Sequence, residues 1–364
     1  MTKGLGALVA TGVAGVAYAG LIERNWYALR RFDVPVLPAG ATPIRVLQVS
    51  DLHLVPRQSR KIEWVRALAD LEPDLVVNTG DNFAHVDAAP ALVHALAPLM
   101  ERPGVFVMGS NDYFGPRLKN PAVYLTDRFA TLAKSSYPLP TDELRDAFTG
   151  AGWLDLDNAR AEMTVGPDAL PLEFVGVDDP HIERDDYASV SAPASPDAAL
   201  TVGVAHAPYQ RVLDGMTADG AGLLIAGHTH GGQLALPVYG ALVTNCDLDR
   251  GRAKGLSRWW PGAGTAAAGT QPDDAAYLHV SAGLGTSPFA PVRFACRPEA
   301  TLMTLTPRDA GDRFRRMPCA GLFSGGCPDG WLPRGVAQLG SALRSGRRGR
   351  RFKSCHPDQL AFGL

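Results

Sequence analysis

Gly227-His228-Thr229-His230-Gly231-Gly232-Gln233 is the stretch whose reading decides what this chain is. It follows Gly222-Leu223-Leu224-Ile225-Ala226, an apolar run with the length and composition of a buried strand. Residues i and i+2 of a continuing strand point to one side, so the spacing predicts that both imidazoles approach one centre or two adjacent ones. Neutral imidazole is the commonest metal ligand, and the flanking glycines let backbone and a charged ligand approach with no Cβ between them. Taken alone, the pair fits two solvated loop histidines as well as it fits a metal site. The residues upstream separate these readings.

Upstream, strand, loop and helix alternate, the pattern of an α/β domain. A strand at Ile44–Ser50 ends in Asp51-Leu52-His53, and a helical stripe runs from Arg60 to Leu71. The next strand, Asp74–Asn78, runs into Thr79-Gly80-Asp81-Asn82, and a second helix spans Ala89 to Met100. A third strand, Gly104–Met108, delivers Gly109-Ser110-Asn111-Asp112. Residues 113–140 read as a long loop over the site, followed by a helix from Thr141. Further strands are predicted at Glu162–Val165, Leu172–Val177 and Leu200–Ala205, the last ending at His206, and then at Tyr277–Ser281 and Ala300–Thr306. Asp178-Asp179-Pro180-His181 either lines the pocket or forms a capped turn.

Five strand ends thus present Asp51 with His53, Asp81, Asn111, His206, and His228 with His230, where open α/β sheets place their ligands. Carboxylate, amide carbonyl and imidazole suit Mn, Fe or Zn better than Mg. Seven donors are too many for one ion and fit two divalent ions that share a carboxylate, roughly 3.5–4 Å apart. Each residue alone has a plainer role: Asp51 or Asp81 as a helix cap, His206 as a core histidine. All of them failing together in this order is improbable.

Asp51-x-His53, Gly80-Asp81-Asn82, the turn at Gly109, the isolated His206 and Gly227-His228-x-His230 resemble the signature of calcineurin-like metallophosphoesterases over residues 44 to about 306. The resemblance implies a four-layer sandwich of two mixed β-sheets flanked by helices, with a binuclear centre at the strand ends. It also implies ligand sets: Asp51, His53 and His230 on one ion, Asn111 or Ser110 with His206 and His228 on the other, Asp81 bridging. The implied reaction is hydrolysis of a phosphoester by a metal-bridging hydroxide. Gly283-Leu284-Gly285-Thr286-Ser287 and Arg293-Phe294 resemble the membrane-associated branch, some of whose members act on lipid-linked phosphoesters. One departure matters. The family turn reads Gly-Asn-His-Asp or Gly-Asn-His-Glu, whereas this chain has Gly109-Ser110-Asn111-Asp112, so the usual histidine is missing. Either Ser110 or Asn111 takes the ligand position. Protonation of the leaving group falls to water, to Asp112 or to nothing. A catalytically impaired, metal-retaining binding module is the alternative.

The chain of 364 residues is 46% hydrophobic and 20% charged, enough for a large core. Its five cysteines form no C-x-x-C pair, which argues against a disulfide framework and a thiolate zinc site. Residues 1–40 read as a leader and linker: Gly4–Ile22 is uncharged over 19 positions, and Val34–Gly40 is a Pro-containing spacer. The leader fits a membrane anchor, a signal peptide cut near Ala17-Tyr18-Ala19, or a packed helix. Residues 41–307 form the metallophosphoesterase domain. From Arg308 on, 11 Lys and Arg face 4 Asp and Glu, leaving 24 against 33, a net of −9, for residues 1–307. Ordinary codons back-translate Arg334–Ala342 into the start of a tRNA gene, and Arg351–Asp358 into its TψC loop and closing acceptor strand. Residues 308–364 therefore read as a disordered read-through of such a gene, not a nucleic-acid arm, and no nucleic-acid partner is expected. The partners expected are a phosphoester, a membrane lipid among the candidates, and the bilayer itself. Nothing in the sequence sets the oligomeric state.

Overall fold

The computed structural model describes residues 2–116, 137–236, 238–265, 270–286 and 289–308. Most of the loop expected at 113–140, part of that at 261–269, and the tail read as tRNA-derived lie outside them.

Two six-stranded sheets make the body. The first runs in the order β1 (Ala28–Leu37), β14 (Glu299–Pro307), β2 (Ile44–Val49), β3 (Leu75–Asn78), β4 (Gly104–Phe106) and β5 (Leu154–Asp155). The second runs β12 (Gly255–Trp259), β13 (Ala276–Val280), β9 (Leu223–Ala226), β8 (Leu200–Ala205), β7 (Leu170–Gly176) and β6 (Ala159–Val165). Both are mixed: β2, β3, β4 and β5 are parallel and β14 antiparallel to β2, while β7, β8, β9 and β13 are parallel with antiparallel β6 and β12 at the edges. A hairpin, β10 (Ala235–Leu236) with β11 (Gly240–Ala241), stands apart from both.

Side-chain alternation along these strands builds the layers. In β2, Val46 faces a core shared with Val77, Val105, Val204 and Ile225 between the sheets, while Leu47 and Val49 face the other way. That outer face is covered by the helices α2 (Ser59–Arg66), α3 (Ala89–Met100) and, beyond the short α4 (Ser110–Tyr113), α5 (Thr141–Gly150), through Val65, Leu92, Leu96 and Phe148. On the second sheet, beyond the single turn α6 (Tyr187–Val190), α7 (Gln210–Ala218) packs Leu213 and Met216 against Val175, Leu224 and Leu278. The order helix, sheet, sheet, helix is the four-layer sandwich expected. Strands covered on both faces read as continuous apolar runs, which is why the sequence revealed most of them.

Residues 34–37 contradict the spacer reading. They end β1, which pairs parallel with β14 from Ala28↔Glu299 onward. Pro35 obscured the strand, but an edge position tolerates a missing donor. The body therefore begins by residue 28. Ahead of it, α1 (Thr2–Ala17) continues into a π-turn at Tyr18–Ile22. Among the described residues no helix is long and apolar enough to cross a membrane, so a transmembrane helix is not borne out.

One polar stitch joins the sheets near the strand ends. Gln48 on β2 donates to Ala226 O at 2.8 Å and to Thr79 Oγ1 at 3.2 Å, and its Oε1 meets His279 Nδ1 on β13 at 2.6 Å. His279 is fully buried, its Nε2 has no partner, and burial pushes its pKa from 6.5 down to about 3. The ring is neutral in the fold and takes up a proton only on unfolding, so this contribution is complete above pH 6.5 and lost as pH falls toward 3. Between about pH 7 and pH 5, chemical denaturation is expected to show the wild-type chain losing about 2 kcal/mol more stability than His279→Met.

Candidate metal centre

The site lies where the C-terminal ends of β2, β3 and β4 meet those of β8 and β9. Five of its side chains sit on left-handed backbone: Asp51 at φ 49°, His53 at 41°, Asp81 at 56°, His228 at 69° and His230 at 50°. Such conformations cost non-glycine residues about 1–3 kcal/mol each and persist only where surroundings over-determine them. Here the loops hold one another. Asp51 N donates to Gly80 O (2.9 Å), His53 N to Asp81 O (3.0 Å) and Leu54 N to Asn82 O (2.8 Å), extending the β2–β3 pairing past both strands. Buried Lys61 donates to Leu52 O at 2.8 Å, between the two donors of that loop.

This corrects the strand-pleat argument for the two histidines. β9 stops at Ala226, and each imidazole is aimed by its own left-handed turn, so the two serve different clusters. His230 joins Asp51, His53 and Asp81, whose ligand atoms lie within 4.8 Å of one another. Within that group His53 Nε2 faces His230 Nε2 at 3.1 Å, His53 Nε2 is 3.4 Å from Asp81 Oδ2, and His230 Nε2 is 3.7 Å from Asp51 Oδ1. His228 joins His206: Nδ1 of His228 meets Nε2 of His206 at 3.2 Å, and the latter is 3.5 Å from Asp81 Oδ1. Asp81 thus turns one oxygen to each cluster.

Outer partners fix the imidazoles. Nδ1 of His206 donates to Thr79 O at 2.7 Å and Nε2 of His228 to Asn245 O at 3.2 Å, which turns the other nitrogen of each ring inward. Arg293, fully buried, donates to Ala282 O (2.7 Å) and Gly285 O (2.6 Å) and lies 3.2 Å from His230 Nδ1, so it fixes the orientation of that ring with Nε2 toward His53. Burial pushes His53 down to about 4 and holds His228 and His230 well below 6.5, the neutral form in which imidazole ligates. Burial, with the charge of Asp81, raises Asp51 to about 6. Burial also opposes the charges on Asp81 and His206, but each overcomes it in the other, holding the carboxylate low and the imidazolium high. A donor set of two carboxylates and four imidazoles, buried together, with the inward nitrogens of His206 and His228 pre-aimed, fits divalent cations.

The remaining expected residues divide. Asn111 lies against Asp81: its backbone N–H donates to Oδ1 at 2.7 Å and its side-chain NH₂ to Oδ2 at 2.8 Å, while Ser110 Oγ is 3.4 Å from that amide nitrogen. Asp112 is fully buried and accepts from the backbone N–H groups of Asp81 (2.8 Å), Asn82 (2.7 Å) and Gly109 (3.0 Å). Those contacts hold the Asp81 loop, and they occupy both oxygens of the group considered for protonating a leaving group.

Asp179 and His181, left open in the sequence, flank the second cluster. The His181 ring lies 4.5 Å, centre to centre, from that of His228, and its Nδ1 meets Tyr209 Oη at 3.1 Å. Asp179 is fully buried; one oxygen accepts from His181 N at 2.8 Å, the other has no hydrogen-bond partner, and its charge supports His206. Arg293 and the Asn245 carbonyl were missed as site residues. A lone arginine and a main-chain oxygen carry no local signal.

The profile of the calcineurin-like phosphoesterases matches residues 44–232. An uncharacterized metallophosphoesterase of Bacillus subtilis, YkuE, is 25% identical over 82% of this chain and 92% of its own length. The phosphodiesterase YaeI of Escherichia coli is 24% identical over 82% of this chain and 95% of its own. A transmembrane protein with a metallophosphoesterase domain from Bos taurus is 28% identical over 57% of this chain and 45% of its own. Among solved structures, a dimetal phosphatase from Danio rerio is similar over 69% of this chain and 88% of its own, with 13% identity and a TM-score of 0.33.

At Gly109 the site leaves no room for a side chain. A Cβ there would collide with Asp81 Oδ1 and come within 2.7 Å of the His206 ring. Gly109→Ala is expected to fold with a thermal midpoint near that of wild type, yet to lose at least about 100-fold in phosphoesterase turnover, since a displacement near 1 Å at a reacting centre has that effect. Circular dichroism alongside steady-state kinetics checks both halves.

Proposed function

Because this chain belongs to the calcineurin-like phosphoesterase family and is a hydrolase of phosphoester bonds, we propose that it works with two divalent cations, Mn, Fe or Zn. Asp51, His53 and His230 would hold one, His206 and His228 with Asn111 the other, and Asp81 both. The observation that carries this is Asp81 itself, with Oδ2 at 3.4 Å from His53 and Oδ1 at 3.5 Å from His206. Such ions would supply positive charge for the phosphoryl oxygens and would lower the pKa of a water, making it nucleophilic near neutral pH.

The chain's own groups position what reacts. Asp112 and Asn111 hold Asp81 in place through the contacts above. Asn111 presents its NH₂ to Asp81, and rotating the amide by half a turn would offer the carbonyl oxygen to a cation instead. His181, from the other sheet, supplies an imidazole beside the second cluster and would hydrogen-bond the phosphoryl or leaving-group oxygen that the missing turn histidine otherwise serves. A phosphodiester is the favoured substrate, supported by the name of the Escherichia coli relative. A lipid-linked phosphodiester or pyrophosphate is the finer proposal, supported by the apolar N-terminal segment and the transmembrane bovine relative.

The impaired binding module keeps one observation in its favour: Ser110-Asn111 stands where the family carries Asn-His. Metal analysis with a phosphoester panel separates the readings. Two metal equivalents and Mn²⁺-dependent turnover of an aryl phosphodiester are expected, with Asp81→Asn losing metal and activity together. Metal without turnover on any ester, lipid-linked pyrophosphates included, would establish the module instead. His181→Ala is expected to lower kcat by about 100-fold on a substrate with a poor leaving group, and far less on an activated aryl ester. Equal losses on both would remove His181 from the leaving-group side.

A further inference from the structure

The N-terminal helix α1 is apolar from Gly4 onward, and its side chains from Ala10 to Ala17 are mostly exposed, Val13 and Val16 among them. Its foot is bound to the body. Ala19 O accepts from Arg293 N at 3.1 Å, and Glu23, buried, accepts from Ala295 N at 3.1 Å and Cys296 N at 2.6 Å. The Tyr18 ring meets Phe294 edge-on at 6.4 Å, Phe294 bridges to Leu234, and Leu234 leads into the β10–β11 hairpin. That hairpin exposes Leu236, Val238 and Tyr239. Helix foot and hairpin therefore belong to one continuous edge, with exposed apolar groups at both ends.

Between them lies a cavity of about 290 Å³ lined by Tyr18, Glu23, Arg30, Lys254, Phe294 and Arg297. Its charges are unequal. Glu23 is engaged by two backbone N–H groups, and Arg30 pairs with Glu299 at 3.0 Å. Arg297 lies over the exposed Trp26 ring at 4.1 Å and donates to Trp26 O and Tyr27 O. Lys254 is exposed, with its ammonium 3.6 Å from Cys296 Sγ. Lys254 and Ala295 also line the neighbouring cavity that the hairpin, Asp249 and Arg250 border; Asp249 is paired with Arg252, so Lys254 and Arg250 carry the positive charge along the edge.

We propose that this edge is a docking surface for an anionic lipid bilayer, with a headgroup phosphate in the Arg30–Lys254–Arg297 cavity. Exposed aliphatic groups, aromatic rings at their boundary and cations just behind form the sequence of layers that a headgroup region presents. At about 1.5 Å per residue, the sixteen residues of α1 span less than the roughly 30 Å hydrocarbon core, which suits insertion from one face. Gly231, next to the ligand candidate His230, lines the hairpin cavity, so docking brings the metal centre to the membrane surface. The inference concerns binding and stands whether or not the site is catalytic.

Co-sedimentation of the full chain with vesicles tests it. Wild type is expected to bind an equal mixture of phosphatidylcholine and phosphatidylglycerol at least about tenfold more tightly than phosphatidylcholine alone, and less tightly as salt rises. Lys254→Glu is expected to remove most of that preference. Leu236→Glu with Val238→Glu is expected to weaken binding to both vesicles about tenfold. Turnover of a soluble ester, or the circular dichroism spectrum if there is no turnover, should be unchanged in these variants and so report intact folding. Equal binding to neutral and anionic vesicles, or hairpin variants that bind as wild type does, would overturn the proposal. So would binding of inorganic phosphate by the free chain with no binding to either vesicle, which would make the cavity a site for free phosphate.

Discussion

Two carboxylates and four imidazoles are buried together at the junction of two sheets, and the rest of the architecture answers to that arrangement. Asp51 and Asp81 are 0% and 2% exposed, at a place where an unpaired charge is costly to desolvate. The fold answers in part from within: His206 balances Asp81, and Asp51 is left with a raised pKa. Cations would complete the balance. A core that accepts acidic groups without enclosing equal positive charge is suited to holding metal, and the same deficit makes the surrounding hydrogen bonds obligatory. Gln48, Thr79, Asn245 and Arg293 each tie a ligand candidate, or the strand that carries it, to the opposite sheet or loop.

Holding so many donors in so small a space sets severe demands on the backbone. Left-handed turns at five polar residues let short loops aim side chains that a pleated strand would send to alternate faces. The strain is spread over loops that pair with one another, as the Asp51–Gly80 and His53–Asp81 contacts show. Glycine then removes the atoms that would obstruct this packing. At Gly227 an added Cβ would overlap Ser50 Oγ and stand 2.7 Å from Asp51 Oδ2. The glycines around the histidine pair therefore serve the carboxylates opposite at least as much as they serve approach of a ligand.

Much of this was legible from the residues. Apolar strands buried on both faces announced themselves, and each broke off at a polar residue that the structure brings into the site. Asp51, His53, Asp81, His206, His228 and His230 could be collected because donor residues just after apolar runs are a local pattern. What escaped was non-local or carried by the main chain. β1 hid behind Pro35, since an edge strand needs only one ladder of hydrogen bonds and sequence cannot tell edge from centre. Arg293 reads as an ordinary charge until the fold closes carbonyls around it. Asp112 looked like a spare acid because its acceptors are filled by backbone groups 29 to 31 residues away or in its own turn.

The altered turn after β4 shows why a missing residue is not by itself a missing function. Ser110 and Asn111 replace the pair expected there, yet Asp112 still fastens the turn to the Asp81 loop, and Asn111 still reaches Asp81 through both backbone and side chain. The geometry that places the shared carboxylate is therefore intact on the first sheet. What the turn no longer provides is an imidazole over the second cluster, and the second sheet carries one in His181, delivered by the Asp179–Pro180 turn and steadied by Tyr209. If His181 takes the part proposed for it, a leaving group is approached from the second sheet and not from the first. The same turn also ties His181 to Asp179, whose unpartnered oxygen is buried close enough to His206 to support its charge. On this view the departure from the family turn alters which esters fit the site, and leaves the means of cleaving them in place.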